Sequence, residues 1–171
     1  MIEQRLFPVA QEQTTSDDYW TPAWLFEKMG LQFDLDVCAP PGGVPWVPAA
    51  RHYTQEDDGL VAPWAGRVWM NPPFSKPAPW IARFREHRNG VCIFPHSAGK
   101  WVSGLWNVAD GWIVVPPPVA FVKEGVRGGI PMPVSMAAFG DECVEALRRI
   151  ASVRALIDPP HRCHKMDNQL S

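Results

Sequence analysis

The apolar run Arg67-Val68-Trp69-Met70 ends at Asn71-Pro72-Pro73-Phe74. A short apolar run bounded by breakers predicts a buried strand. Two successive prolines fix φ, donate no N–H and terminate that strand. The result is a stiff loop with one carboxamide and one aromatic ring at a strand end. Open α/β sheets hold their ligands at such strand ends. Proline is abundant here, 19 of 171 residues. The same tetrapeptide therefore also reads as an ordinary proline turn with Phe74 in the core, and its surroundings must decide between the two.

On either side of this loop the chain alternates helix and strand signals. Residues 1–17 are polar and predict a loose N-terminal arm. Thr21 is placed to cap a helix that begins at Pro22 and stops at Gly30. Residues 31–39 alternate as a strand and end in Pro40-Pro41-Gly42-Gly43. Residues 44–66 predict a long loop, which in a compact domain is functional or conceals an element. Residues 79–87 predict a helix with Trp80 and Phe84 on one face. Strands are expected over 91–95, 112–115, 120–122, 134–139 and 153–157, with helices near 100–108 and 142–150. This alternation predicts an α/β fold with a mainly parallel sheet and helices on both faces. A single domain over residues 18–158 is expected, followed by a tail over 159–171.

Composition narrows the function classes. A net charge of −2 and a pI near 6.2 argue against a strongly basic, nonspecific nucleic-acid binder. Contact with DNA would have to come from local cations. Lys76, Arg83 and Lys100 are the candidates for phosphates, and Arg85 and Arg88 lie nearby in sequence. The four cysteines, Cys38, Cys92, Cys143 and Cys163, are widely spaced and read as thiols. His161-Arg162-Cys163-His164 has no second half that would complete a zinc site, so no metal is expected. No run is long enough to span a membrane, and Met1-Ile2-Glu3-Gln4-Arg5 does not resemble a signal peptide. A cytoplasmic location is expected.

The loop at Asn71 has a defined chemical use. An amino group on an aromatic base is a poor nucleophile, because its lone pair is delocalised into the ring. Two hydrogen-bond acceptors can hold it so that the nitrogen becomes more tetrahedral as it attacks. The Asn71 side-chain oxygen and the Pro72 carbonyl offer two such acceptors. Phe74 offers a flat face for the base, and stacking of this kind is worth about 1–3 kcal/mol. That offsets part of the cost of flipping a base out of a duplex.

The wider pattern resembles the phage and prophage DNA N-6-adenine methyltransferases, the phage Dam family. The residues that carry the resemblance are Trp20-Thr21-Pro22-Ala23-Trp24-Leu25-Phe26, Phe33-Asp34-Leu35-Asp36-Val37-Cys38-Ala39, the segment from Tyr53 to Leu60, the segment from Trp64 to Ser75, and Phe94-Pro95-His96-Ser97. Their order and spacing also agree, over about residues 18–140. The resemblance implies a Rossmann-like class I methyltransferase fold with S-adenosyl-L-methionine as cofactor and DNA as partner. It implies catalytic roles for Asn71, Pro72, Pro73 and Phe74. It implies cofactor contacts from Trp20, Thr21, Pro22, Asp36, Val37, Cys38, Ala39, Asp57 and Asp58. A carboxylate at Asp36 would suit the cationic methionine moiety. The usual glycine-rich cofactor signature is absent; Ala39-Pro40-Pro41-Gly42-Gly43 stands in its place. His96-Ser97 replaces the more usual Ala-Arg. The implied activity is methylation of a flipped adenine at N6. The alternatives are the same fold acting on cytosine N4 or a protein glutamine amide, or a noncatalytic DNA- or protein-binding module. A monomer is compatible with the sequence.

Overall fold

The computed structural model describes residue 17 and residues 19–115, 119–123, 126–130 and 133–151. The arm over residues 1–16, the strand expected over 153–157, and the tail with His161, Cys163 and His164 lie outside the described residues.

Seven strands and four helices are described. Strands β1 (Leu35–Asp36), β2 (Val68–Met70), β3 (Gly90–Pro95), β4 (Gly111–Val115) and β7 (Val134–Phe139) form one sheet in the order β1-β2-β3-β7-β4. Strands β5 (Val119–Lys123) and β6 (Val126–Ile130) form a separate antiparallel hairpin. The helices are α1 (Ala23–Met29), α2 (Ala78–His87), α3 (Lys100–Trp106) and α4 (Asp141–Ala151).

The pairs β1–β2 and β2–β3 are parallel. β7 lies antiparallel between β3 and β4. Four strands thus share one direction and β7 opposes them, so the expectation of a mainly parallel sheet holds for strand direction but for only two of the four pairings. The reason is connectivity. A parallel neighbour needs a long crossover, and α2 supplies one between β2 and β3. β7 is instead entered from the β5–β6 hairpin, without a crossover helix, and returns antiparallel beside β4.

The sheet buries both faces, and strand alternation sorts the core into two layers. On one face Trp69, Val91, Ile93, Ile113 and Met136 pack with Leu25, Phe26 and Met29 of α1 and Val144, Leu147 and Ile150 of α4. On the other, Val68, Met70, Cys92, Phe94 and Trp112 pack with Ile81 and Phe84 of α2 and Val102 and Leu105 of α3. Trp69 is only 1% exposed, and its ring meets that of Phe26 edge-on at 4.7 Å. Truncating a buried aromatic of this kind costs about 3–5 kcal/mol.

The expected strand over 31–39 is shorter as a regular element, and the long loop explains why. Residues 48–53 run parallel to β1 along its outer edge through single bridges, Phe33 to Ala49 and Asp36 to His52. The backbone N–H of Asp36 donates to the Arg51 carbonyl at 2.9 Å, that of Tyr53 to Asp36 at 2.8 Å, and that of Ala39 to Tyr53 at 2.9 Å. This is the element concealed in the loop, and it covers the sheet edge.

α1 ends as expected. Gly30 takes a left-handed φ of 58° and its N–H donates to the Phe26 carbonyl, a conformation glycine adopts without steric cost. The start differs from expectation. Pro22 occupies the cap position, no side chain caps the helix, and the Thr21 hydroxyl is therefore left over.

Candidate functional site

β1, β2 and β3 are adjacent and parallel, so their carboxyl ends open on one edge of the sheet. Asp36 ends β1, Asn71 follows β2, and His96 follows β3. Proline stiffness makes the middle one a fixed point: Pro72 is buried, and the chain turns beyond it, with the Lys76 N–H donating to the Pro73 carbonyl at 3.2 Å.

Asn71 is half-buried, and its Nδ2 donates to the Tyr19 carbonyl at 3.1 Å. A carbonyl only accepts, so the amide nitrogen must face Tyr19 and Oδ1 must face the other way. Oδ1 is thereby held as an acceptor next in sequence to the Pro72 carbonyl. Phe74 is half-buried, and its ring meets Phe121 edge-on at 5.9 Å. Neither purely core nor purely surface, it has one edge seated on β5.

The Asp36 carboxylate is buried, with 4% of the residue exposed. It accepts one hydrogen bond, from the Cys38 N–H at 3.1 Å. Burial pushes its carboxyl up from the usual 3.8 to about 7, against the smaller opposing effect of that hydrogen bond. Loss of hydration penalises the ionised form, and one N–H does not restore it. Burial, with the adjacent Asp36 carboxylate, also holds the Cys38 thiol well above its ordinary range. Val37 and Ala39 are buried, and the Val37 N–H donates to the Trp69 carbonyl at 3.0 Å. Asp36–Ala39 is thus laced to β2 on one side and to residues 51–53 on the other.

Thr21 is 2% exposed, and its Oγ1 is buried without a hydrogen-bond partner. Leaving such a hydroxyl unpaired costs about 1–3 kcal/mol. Its backbone carbonyl accepts from the indole Nε1 of Trp46 at 2.8 Å, and the Trp46 ring lies 6.1 Å from that of Trp20. Trp20 in turn exchanges backbone hydrogen bonds with Val122 at 2.7 and 2.9 Å. Pro22 is buried.

The acidic turn is placed differently. Asp57 is exposed, and its Oδ2 accepts from the Thr54 N–H at 2.8 Å and from Thr54 Oγ1 at 3.0 Å. Those bonds lower its carboxyl below the usual range. Asp58 has a left-handed φ of 49° and accepts from the Leu60 N–H at 3.2 Å. Both carboxylates serve the turn locally. The turn itself lies against the site: a Cβ on Gly59 would come within 2.2 Å of the Val37 carbonyl, so only glycine permits this approach.

Lys76 and Lys100 are exposed, Lys76 on the loop after β2 and Lys100 at the first position of α3, the helix that follows β3. Arg83 was expected to reach phosphates, but its terminal nitrogens donate to the carbonyls of Leu60 and Ala62 and its guanidinium lies over the Trp64 ring at 5.0 Å. It ties α2 to the loop carrying the acidic turn. His96 is exposed, and its Nδ1 lies 2.8 Å from the hydroxyl of the fully buried Ser135.

Four participants escaped the sequence reading. The Asp17 carboxylate accepts from the Ser75 N–H at 2.9 Å and the Ser75 hydroxyl at 2.6 Å. Tyr19 acts through its backbone, which side-chain patterns do not reveal. Trp46 was one of nine tryptophans without periodic context. Only Ser75 carried a signal, its position directly after the tetrapeptide.

An oriented acceptor and a buried carboxylate follow the carboxyl ends of adjacent parallel strands, the edge at which open α/β sheets hold their ligands. Comparison with known proteins gives the family. Residues 10–109 match the family described as DNA N-6-adenine-methyltransferase (Dam), more than half of the chain, and the chain belongs to that family. A DNA N-6-adenine-methyltransferase of Haemophilus phage HP1 (strain HP1c1) is 39% identical over 72 residues, covering 39% of this chain and 40% of that protein. The matched region therefore spans about two fifths of the curated relative's length. No solved structure matches.

Proposed function

We propose that this chain transfers a methyl group from S-adenosyl-L-methionine to the N6 amine of a flipped adenine in DNA, on a Rossmann-like class I methyltransferase fold. The observation that carries this reading is the Asn71 carboxamide. With Nδ2 bound to Tyr19, Oδ1 presents an acceptor, which is what an aromatic amine requires. Together with the Pro72 carbonyl it holds the two amine hydrogens, draws the nitrogen lone pair out of the ring and orients it for attack. Phe74 stacks the base. Orientation of this kind supplies most of the rate in a transfer that needs no strong base, since the spare proton leaves to water.

The residues on the cofactor side fit the proposed donor. Thr21 has a buried hydroxyl in want of a partner, and Asp36 a buried carboxylate in want of a cation. S-adenosyl-L-methionine would supply an electrophilic methyl on a sulfonium cation, with an ammonium group and hydroxyls as further handles. Thr21, Asp36 and the Val37–Ala39 backbone would hold it, with Trp20 and Pro22 as walls. Asp57 and Asp58 would contribute through the position of their turn. Lys76 and Lys100 would meet DNA phosphates, and Arg83 would support them indirectly. DNA is the partner in this reading and the host cytoplasm the setting. No helix among the described residues is long and apolar enough to cross a membrane.

The test is labelled methyl transfer to DNA followed by digestion and base identification. N6-methyladenine is the expected product. Asn71→Ala is expected to lower transfer by at least about 100-fold while calorimetric binding of S-adenosyl-L-methionine persists. N4-methylcytosine as product would reassign the substrate. Absence of both transfer and cofactor binding would leave a noncatalytic module, and undiminished transfer by Asn71→Ala would remove that residue's role.

A further inference from the structure

We propose that Asp17 is a positioning residue for the Asn71 carboxamide. The segment that enters α1 grips the tetrapeptide at both ends. Asp17 holds Ser75, directly after Phe74, through two hydrogen bonds of 2.9 and 2.6 Å. Tyr19, two residues on, holds Asn71 at 3.1 Å. The far side of the segment is anchored independently, because Trp20 pairs with Val122 in both directions and Trp46 donates to the Thr21 carbonyl. Between the two grips lie two prolines, whose fixed φ keeps the intervening chain stiff. Fixing Ser75 therefore sets where Asn71 stands relative to the Tyr19 carbonyl.

The consequence is chemical. A carboxamide that loses its partner at Tyr19 can turn over, and it then presents two N–H donors where an amine needs an acceptor. Misplacement by about 1 Å at a reacting centre can cost 100-fold. Partial release of one grip is expected to cost about tenfold in kcat. The Asp17 carboxylate presents its two oxygens separately to one residue's N–H and O–H, which fixes Ser75 at two points. Its effect on catalysis presumes the methyltransferase reading above; its effect on the carboxamide does not.

The experiment compares the full chain with Asp17→Ala, Asp17→Asn and Ser75→Ala. Asp17→Asn keeps an acceptor for the Ser75 N–H and can donate to the Ser75 hydroxyl, so it is the conservative rescue. Three quantities are read: kcat with separate KM values for S-adenosyl-L-methionine and DNA, thermal midpoint, and NMR exchange of the Ser75 backbone amide and Asn71 side-chain amide protons. For Asp17→Ala the expected result is a kcat about tenfold lower, with cofactor KM unchanged, the thermal midpoint lowered by only about 1–3 °C and both amides exchanging faster. Ser75→Ala should fall between it and wild type, and Asp17→Asn should restore most of kcat. The proposal is overturned if Asp17→Ala frees the Ser75 amide yet leaves kcat and Asn71 exchange as in wild type. It is equally overturned if the loss appears only in cofactor KM, or if Asp17→Asn is as impaired as Asp17→Ala. Should Asp17→Ala fail to fold, Ser75→Ala and Asp17→Asn decide by the same criteria. Should the wild type transfer no methyl group, the functional reading fails by itself, and Asn71 amide exchange still judges the grip: acceleration on releasing Asp17 supports it, and no change overturns it.

Discussion

Asp36 and Asp57 are the same residue type, singled out for the same binding role, in opposite environments. Asp36 is buried at the end of β1 with one hydrogen bond, and its carboxyl is pushed up to about 7. Asp57 is exposed, takes two hydrogen bonds from Thr54, and titrates below the ordinary range. Their turns are in contact, since Gly59 packs on the Val37 carbonyl. The difference teaches how to rank acids in a candidate site. A carboxylate satisfied by its own turn gains little from a ligand. A buried one lacking hydration gains the most from a cation, because the cation restores the charge balance that burial removed.

That contrast is most directly broken by Asp36→Asn. It should keep the bond from Cys38 and lose the charge, weakening S-adenosyl-L-methionine by about 10- to 100-fold in calorimetry; affinity within twofold of wild type would deny Asp36 a cationic ligand. The same group makes wild-type affinity depend on pH. If only the ionised form accepts the cation, binding strengthens up to tenfold per unit as pH rises toward about 7 and levels off above it. The Asn variant should show no such slope.

Stability runs the other way. The folded carboxyl is raised above its unfolded value, so the native state holds an extra proton between pH 3.8 and about 7. Stability without ligand should therefore decline across that window as pH rises. Urea unfolding should find Asp36→Asn close to wild type near pH 4 and more stable at pH 8, by on the order of 1–4 kcal/mol.

Asp57→Asn is expected to do far less. Its lowered carboxyl makes a contribution that is present above the usual carboxylate range and lost as pH falls through the lowered value. Near neutral pH the variant should shift the thermal midpoint by about 1–2 °C and change cofactor affinity by less than about twofold. A larger loss of affinity would mean the turn touches the ligand directly. Asp58→Asn should have the smallest effect. Asparagine tolerates the left-handed φ of 49° and can still accept from Leu60, so both readings should match wild type.

Several elements were legible because their signals are local. The apolar run into the two prolines identified β2 and its stop, and periodicity located α2 and α4 and the strands β3, β4 and β7. Residues 48–53 were not legible as an edge element. They carry no alternating pattern, and their pairing with β1 is made by backbone bridges. β6 was hidden for a similar reason: Val126-Arg127-Gly128-Gly129-Ile130 lacks the β-branched and aromatic alternation that marks a strand. Thr21 shows a third limit. A threonine before a proline-started helix reads as a cap, but Pro22 takes that position and the hydroxyl turns inward without a partner.

By itself the sequence determined the order of the four helices and of β2, β3, β4 and β7, the stiff loop after β2 and the residue types that loop carries. These follow from hydrophobic spacing and from proline, which act over a few residues. Tertiary structure alone decided which aspartate is buried, that Arg83 braces a loop, and which way the Asn71 carboxamide faces. Those outcomes depend on contacts between distant segments, Tyr19 with Asn71 across 52 residues and Asp17 with Ser75 across 58. A side chain's protonation and orientation are set by whatever the fold brings against it, and no local pattern encodes that neighbour.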